Sequence, residues 1–117
     1  MVDDNLDAAD VLAILLRNAG YETLVAYDTE AGMTLAHKSL PDFIFHAVGA
    51  PFVCGYQAAR RLRQSERFAK TILVAVTPYG ETEDRKRAKL AGFDLHISKP
   101  VYFEDLKEVL SRPNRPN

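Results

Sequence analysis

An uninterrupted apolar stretch, TILVAV at residues 71–76, constrains the fold of this chain more than any other feature. A continuous run of this length that is rich in β-formers is typical of a strand buried on both faces. Such strands belong to parallel sheets that are covered by helices on either side. We therefore expect an α/β domain with three layers, helices over a sheet over helices.

The rest of the chain alternates helical and strand patterns around this stretch. Apolar spacing and capping signals predict helices at residues 6–19, 29–39, 55–64, 81–91 and 103–110. Runs rich in β-formers predict further strands at residues 23–27, 43–47 and 95–97. This alternation predicts one doubly wound parallel sheet in a single domain, residues 1–111. The polar, proline-rich residues 112–117 are predicted to form a disordered tail.

Length, charge and cysteine content limit the functions that such a domain can have. The chain has 117 residues and a net charge of -1, which gives no support to binding nucleic acid or a membrane through a basic surface. Its longest apolar run, residues 11–16, is far too short to cross a bilayer, and no basic-then-apolar leader precedes it. The lone Cys54 has neither a disulfide partner nor companion metal ligands. We expect a cytoplasmic protein.

Polar side chains gather at the predicted carboxyl ends of the strands, where ligands bind in doubly wound sheets. Reading those ends in chain order gives Asp3 and Asp4, Asp28, His46 and Ala47, Thr77, and the Ser-Lys-Pro of residues 98–100. Each has an ordinary explanation when taken alone; an acidic pair ahead of a helix, for example, complements the helix dipole. Acids, a hydroxyl and an amine that converge on one rim indicate a site.

The segments that form this rim resemble, in order, the receiver domain of two-component response regulators. They are VDDNLDAADVLAILLRNAGY, PDFIFHAVGAP, GYQAARRLR, LVAVTPYG and AGFDLHISKPV. The resemblance covers nearly the whole chain and is nearest to the receivers attached to hybrid sensor kinases. It implies a flavodoxin-like (CheY-like) fold with five parallel strands in the order 2-1-3-4-5, five flanking helices, and a role in bacterial phosphorelay signalling.

Ala47 is the main departure from the family. The resemblance places it at the phospho-acceptor aspartate, so this position is expected to be non-functional. Asp3 and Asp4 match the acidic pair that holds Mg²⁺, and Gly49 matches the residue whose carbonyl completes the metal site. Because one carboxylate is lost, we expect Mg²⁺ binding at Asp3, Asp4 and Gly49 to be weak or lost. No other cofactor is expected. Lys99 is instead expected to form a salt bridge with Asp3 or Asp4.

The resemblance also assigns roles on the other side of the rim. Thr77 matches the hydroxyl residue that turns toward a bound phosphoryl group, and Lys99 the amine that pairs with acceptor and phosphoryl oxygens. Pro100 matches a proline that often follows a cis bond. His96 takes the position of the aromatic switch residue.

No neighbouring side chain is predicted to replace the missing nucleophile. Side chains alternate across a strand, so if Ala47 faces the rim, His46 faces a helix-covered side and is expected to be a packing residue. Nothing near Cys54 in the sequence would lower the pKa of its thiol, and Thr77 has no general base beside it. The loop at residues 52–55, Phe-Val-Cys-Gly, also departs from the Gly-Met-Asp-Gly usual in the family. That cluster of changes favours natural divergence over an engineered substitution.

The predicted function is a pseudo-receiver, a signalling module without catalytic residues that binds protein partners and is not phosphorylated on aspartate. The expected partner is a histidine kinase or another two-component protein, and the family's partner surface corresponds here to the stretch from Glu81 to Leu110.

Three alternatives stay open. The chain could be a genuine phospho-accepting regulator altered at Ala47. It could be a small enzyme that uses Asp4, Thr77 and Lys99. It could also be an inert domain with a structural role in a larger protein.

The beginning of the chain leads to a further expectation. Only Met1 and Val2 precede Asp3, so the first strand of the family fold is truncated. In the family fold, the first strand lies between the second and third strands. A short first strand leaves a gap, and the two neighbouring strands have no backbone partner along the edges that face it. We expect either residues upstream of Met1 in the natural protein, or a stub whose gap is closed by a symmetric partner or a rearranged segment. We favour a stub with homodimerisation.

Overall fold

The computed structural model describes residues 1–48, 54–77 and 82–111. Gly49, Glu81 and the predicted tail at residues 112–117 lie outside this part of the chain, as do residues 52 and 53 of the loop that departs from the family pattern.

From residue 29 onward, helices and strands alternate along the described residues as predicted. The helices are α1 (Leu6–Asn18), α2 (Thr29–Ser39), α3 (Cys54–Arg63), α4 (Thr82–Ala91) and α5 (Phe103–Leu110), with a 3-10 turn at Glu66–Phe68. The strands are β1 (Phe43–Ala47), β2 (Ile72–Thr77) and β3 (Leu95–Ser98). Asn5 and Asp28 cap α1 and α2, each accepting a backbone N–H three residues on, which is why these helices begin where the sequence predicts.

The three strands form a parallel sheet in the order β1-β2-β3. Every residue of β2 is buried, so the prediction of a strand covered on both faces is confirmed. One apolar cluster packs α2, α3 and α4 against one face, and a second packs α1 and α5 against the other. None of the helices in the described residues is long and apolar enough to cross a lipid bilayer.

The prediction of an extended strand at residues 23–27 is wrong. Only Ala26 pairs, through a single parallel bridge to Val2, and Val2 forms a second bridge to His46. A strand needs a neighbour along its length to accept its backbone hydrogen bonds, and here that neighbour is the stub that ends at Asp3. The spatial order 2-1-3-4-5 is kept, with single bridges in place of its first two ladders.

An ion pair between Arg63 and Asp94 connects three elements, and the sequence pattern did not indicate it. Arg63 Nη2 donates to Asp94 Oδ2, while its other nitrogens donate to the carbonyls of Gly92 and Phe68 at 2.9 Å. The same Asp94 oxygen accepts the N–H of Leu73 at 2.9 Å. The side chains of Arg63 and Asp94 are only 14% and 7% exposed, so α3, β2 and the turn before β3 are held together from inside.

Candidate functional site

The structure brings the predicted rim residues together at the carboxyl ends of the strands. The N–H of Ala47 donates to the carbonyl of Val2 at 2.9 Å, which sets the end of β1 beside the start of Asp3. The N–H of Lys99 donates to the carbonyl of Thr77 at 2.8 Å, which sets the residue after β3 beside the end of β2. Backbone pairing alone therefore places a carboxylate, a methyl, a hydroxyl and an amine on one rim.

Asp3 and Lys99 form a salt bridge across this rim. The Nζ of Lys99 lies 2.8 Å from Asp3 Oδ2, and the two side chains are 31% and 2% exposed. Asp3 Oδ1 accepts the backbone N–H of Asn5 at 3.0 Å, so both carboxylate oxygens have a partner. The predicted salt bridge is confirmed, with Asp3 as the partner, whereas Asp4 is exposed.

Thr77 and His96 contact each other, so a ring nitrogen lies beside the hydroxyl and the expectation that Thr77 has no general base beside it is wrong. The Oγ1 of Thr77 lies 3.1 Å from Nε2 of His96, and Thr77 is completely buried. The parallel register pairs Thr77 with Ser98, so His96 is a diagonal neighbour on the same face of the sheet. That register was the one signal that could have predicted the contact. The Lys99–Pro100 peptide bond is cis, as the resemblance implied.

His46 is buried away from the rim, which confirms its expected role as a packing residue. It is 6% exposed, with Nδ1 2.7 Å from the carbonyl oxygen of Ala47 and Nε2 3.3 Å from Oγ1 of Thr29. A neutral ring with its proton on Nδ1 satisfies both contacts, because the carbonyl only accepts and the hydroxyl can donate. Burial lowers the pKa of His46, against a smaller opposing effect of the hydrogen bond to Ala47, so the ring is neutral at pH 7.

Among the described residues, Ala47 and Asp3 offer a magnesium ion few free ligands. Mg²⁺ prefers octahedral oxygen ligands, usually carboxylates together with a phosphate. Here Ala47 offers a methyl group, and both oxygens of Asp3 already accept hydrogen bonds. Within residues 1–48, 54–77 and 82–111, no three His, Cys, Asp or Glu side chains form a group that could hold a metal ion.

A doubly wound parallel sheet with an acid, a hydroxyl residue and a lysine at its strand ends defines a class of signalling domain. The family of response regulator receiver domains matches residues 1–111. The chain belongs to this family and is a receiver domain of two-component signalling.

Curated relatives agree with this assignment. The chain is 32% identical to the DNA-binding dual master transcriptional regulator RpaA of Synechocystis over 96% of its own length and 45% of that protein's. It is 27% identical to the polar-differentiation response regulator DivK of Brucella abortus, covering 94% of this chain and 93% of DivK. The chain thus spans less than half of RpaA and nearly all of DivK.

Solved structures show the same fold. The chemotaxis protein CheY4 of Vibrio cholerae superposes with a TM-score of 0.86 at 26% identity, covering 95% of this chain and 92% of that one. The receiver domain of the sensor histidine kinase PA1611 of Pseudomonas aeruginosa superposes with a TM-score of 0.83 at 27% identity, covering 95% and 91%. That structure holds a magnesium ion in its active-site cleft. The expected CheY-like flavodoxin fold is confirmed.

Proposed function

We propose that this receiver domain is a pseudo-receiver, which binds a two-component protein partner without phosphorylation on aspartate. The observation that carries the proposal is Ala47 at the carboxyl end of β1. Phosphoryl transfer to a receiver requires a carboxylate nucleophile at the site, and a methyl group cannot attack phosphorus.

The described side chains of Asp3 and His46 beside Ala47 support the proposal because both are already engaged. Asp3 is buried and its oxygens are engaged by Lys99 and Asn5. His46 directs both ring nitrogens to other groups. Phosphorylation of any of these side chains would first have to break the contacts that hold it.

The salt bridge between Asp3 and Lys99 also supports a rim that binds no metal. Removing one partner of a buried ion pair costs about 3–5 kcal/mol, against about 0–1 kcal/mol for an exposed pair. The present pair lies between these cases, because Asp3 is buried and Lys99 is half-buried. A cation that recruited Asp3 would have to compete with the ammonium of Lys99 for the same carboxylate. The same pairing disfavours a small enzyme that would use Lys99 as a base.

The proposed partner surface is formed by α4, β3 and α5. Leu90 is 84% exposed, Tyr102 62% and Phe103 42%, and Arg85 and Lys86 are exposed as well. A groove of about 440 Å³ runs between β3 and α5. Exposed aromatic and leucine side chains bordered by charges are the composition expected of a protein interface.

Binding of a histidine kinase, with and without a phosphoryl mimic, tests the proposal. Beryllium fluoride with Mg²⁺ forms its mimic on an aspartate, so here the dissociation constant should stay within about twofold. Tyr102→Ala should weaken binding by about 1–2 kcal/mol, whereas the matched Tyr21→Ala at the other end of the sheet should not. A kinase that binds only in the presence of beryllium fluoride would contradict the proposal.

A further inference from the structure

We infer that the outer face of α1 binds the outer face of α4 in a second copy of this chain, so that copies associate head to tail. The inference goes beyond the pseudo-receiver proposal, because neither Ala47 nor the rim takes part in it. The helix α4 also belongs to the proposed partner surface. Self-association is measured on the chain alone, however, so it stands or fails independently of kinase binding.

The outer face of α1 combines exposed apolar side chains with carboxylates. Leu6, Val11 and Ile14 are 57%, 56% and 55% exposed, and Asp7 and Asp10 are exposed as well. These five residues follow one another at spacings of three and four, so they share one side of the helix. The residues that α1 buries in the core are others, so its exposed apolar side chains are not needed for the packing of the domain itself.

Tyr27 extends this face beyond the helix. Its hydroxyl donates to Asp10 Oδ1 at 2.8 Å, and the residue is 43% exposed. The hydrogen bond therefore fixes a carboxylate and an aromatic ring on one surface. A surface whose side chains are already held in place loses less conformational entropy when it binds.

The outer face of α4 carries the opposite charge around one exposed leucine. Leu90 is 84% exposed, the largest value among the large apolar side chains of the described residues. Lys86 and Arg87 lie four and three positions before it, and both are exposed, as are Arg85 and Lys89. None of these four cations forms an ion pair with another described side chain. The helix thus presents an apolar anchor surrounded by positive charge.

The two faces are complementary in charge and in polarity. In a contact between them, Leu90 meets the apolar side chains of α1, and its neighbouring cations meet Asp7 and Asp10. A contact of either face with the same face of another copy would bring carboxylates against carboxylates or cations against cations, which costs free energy. A two-fold dimer through α1 alone or α4 alone is therefore disfavoured, and a head-to-tail contact is favoured.

The wider charge distribution favours a second copy as the occupant. Residues 1–30 contain seven acidic side chains and one basic, whereas residues 54–91 contain nine basic side chains and four acidic. Every copy thus carries both the acidic surface and its basic complement. The two signs nearly cancel in the net charge of -1, so whole copies do not repel one another.

The fold places the two faces on opposite sides of the molecule. The helix α1 packs in the apolar cluster on one side of the sheet, and α4 packs in the cluster on the other side. Two copies can therefore not close both contacts with each other, and each bound copy leaves one face open for the next. A single contact between two helices falls below the roughly 1,200 Å² that stable interfaces bury, so we expect weak association that salt weakens further.

Sedimentation velocity of the intact chain tests the inference. The sedimentation coefficient should rise with protein concentration from about 10 μM to about 1 mM at low salt. It should return toward that of a monomer in about 1 M salt, where charges are screened within about 3 Å. Ile14→Asn and Leu90→Asn should each weaken association about tenfold or more, because each removes an apolar anchor from one face. Leu40→Asn, at a position that is 49% exposed outside both faces, is the matched control and should leave association unchanged.

Mixing the two variants tests the direction of the contact. Ile14→Asn keeps an intact α4 and Leu90→Asn an intact α1, so the mixture should form a 1:1 complex with the affinity of the unmodified chain and grow no further. Both substituted side chains are exposed, so the variants keep the fold. A sedimentation coefficient of the unmodified chain that does not depend on concentration would overturn the inference, as would association that both variants keep. Association that only one substitution weakens, or that mixing does not restore, would overturn it too, because a symmetric contact uses one face alone.

Discussion

At the residue scale, β1 places a methyl group where the neighbouring strand ends provide a carboxylate, a hydroxyl and an amine. Ala47 is correctly positioned for a receiver, since its backbone pairs with Val2 as the sheet requires. Asp3, Thr77 and Lys99 have the residue types that the resemblance to receivers implies at their positions. Lys99 pairs with Asp3, with 2.8 Å between Nζ and Oδ2.

Restoring the carboxylate should restore affinity for a cation. Ala47→Asp is expected to bind Mg²⁺ at least about tenfold more tightly than the unmodified chain, about 1.4 kcal/mol, because it adds an anionic oxygen ligand beside Asp3. Isothermal titration calorimetry measures this directly. Ala47→Asn, which has the same shape without the charge, is the matched control. Equal Mg²⁺ affinities of Ala47→Asp and Ala47→Asn would contradict the assignment of position 47 to the phospho-acceptor aspartate of the family.

The buried His46 should make the stability depend on pH. Burial lowers its pKa in the folded chain, so below about pH 6.5 the unfolded chain takes up a proton that the folded chain does not. The contribution of His46 to the free energy of unfolding is therefore constant above that pH. It falls below it, by at most about 1.4 kcal/mol per pH unit.

Urea unfolding at pH 7.0 and 5.5 tests this expectation. His46→Gln should reduce the difference in unfolding free energy between the two pH values. An equal pH dependence of the unfolding free energy in the unmodified chain and in His46→Gln would contradict a lowered pKa of His46 in the folded chain.

At the element scale, the start of α3 passes directly over the end of β1. A Cβ atom on Gly55 would lie 2.6 Å from the carbonyl oxygen of Ala47 and 3.0 Å from Nδ1 of His46. The carbonyl belongs to the backbone of a paired strand and has little room to move. The close approach of α3 to the site therefore depends on glycine at this position.

Gly55→Ala should for this reason destabilise the domain, although alanine is the better helix former. We expect a loss of about 1–3 kcal/mol in the free energy of unfolding from the displaced helix. Gln57→Ala, at an exposed position of α3, should change it by less than about 0.5 kcal/mol. Chemical denaturation of both variants measures the difference, and a Gly55 variant as stable as the original would mean that α3 can shift freely.

The elements themselves were predictable from local signals, and their exceptions have physical causes. Caps and apolar spacing predicted α1 and α2, and the apolar run predicted β2. Residues 23–27 have the composition of a strand, but strand structure depends on a neighbour, which pattern alone does not supply. The contact between Arg63 and Asp94 joins residues far apart in sequence, and nothing in the local pattern indicates such a pair.

At the scale of the whole molecule, the alternation of strands and helices predicted the rim, but the contact across it was predicted only through the resemblance to receivers. Asp3 and Lys99 lie 96 positions apart, and strand periodicity does not place them within hydrogen-bond distance. The resemblance supplied the strand order that joins them, and that order then placed Ala47 beside both. The contact of Thr77 with His96 depends on the register of β2 and β3 as well as on rotamers, so it emerged only from the structure.

Intact-mass spectrometry after incubation with acetyl phosphate and Mg²⁺ tests the central claim most directly. The unmodified chain should keep its mass, because Ala47 cannot accept a phosphoryl group, while Ala47→Asp under the same conditions provides the comparison. A stable gain of one phosphoryl group by the unmodified chain, mapped to any residue of the rim, would contradict the pseudo-receiver proposal.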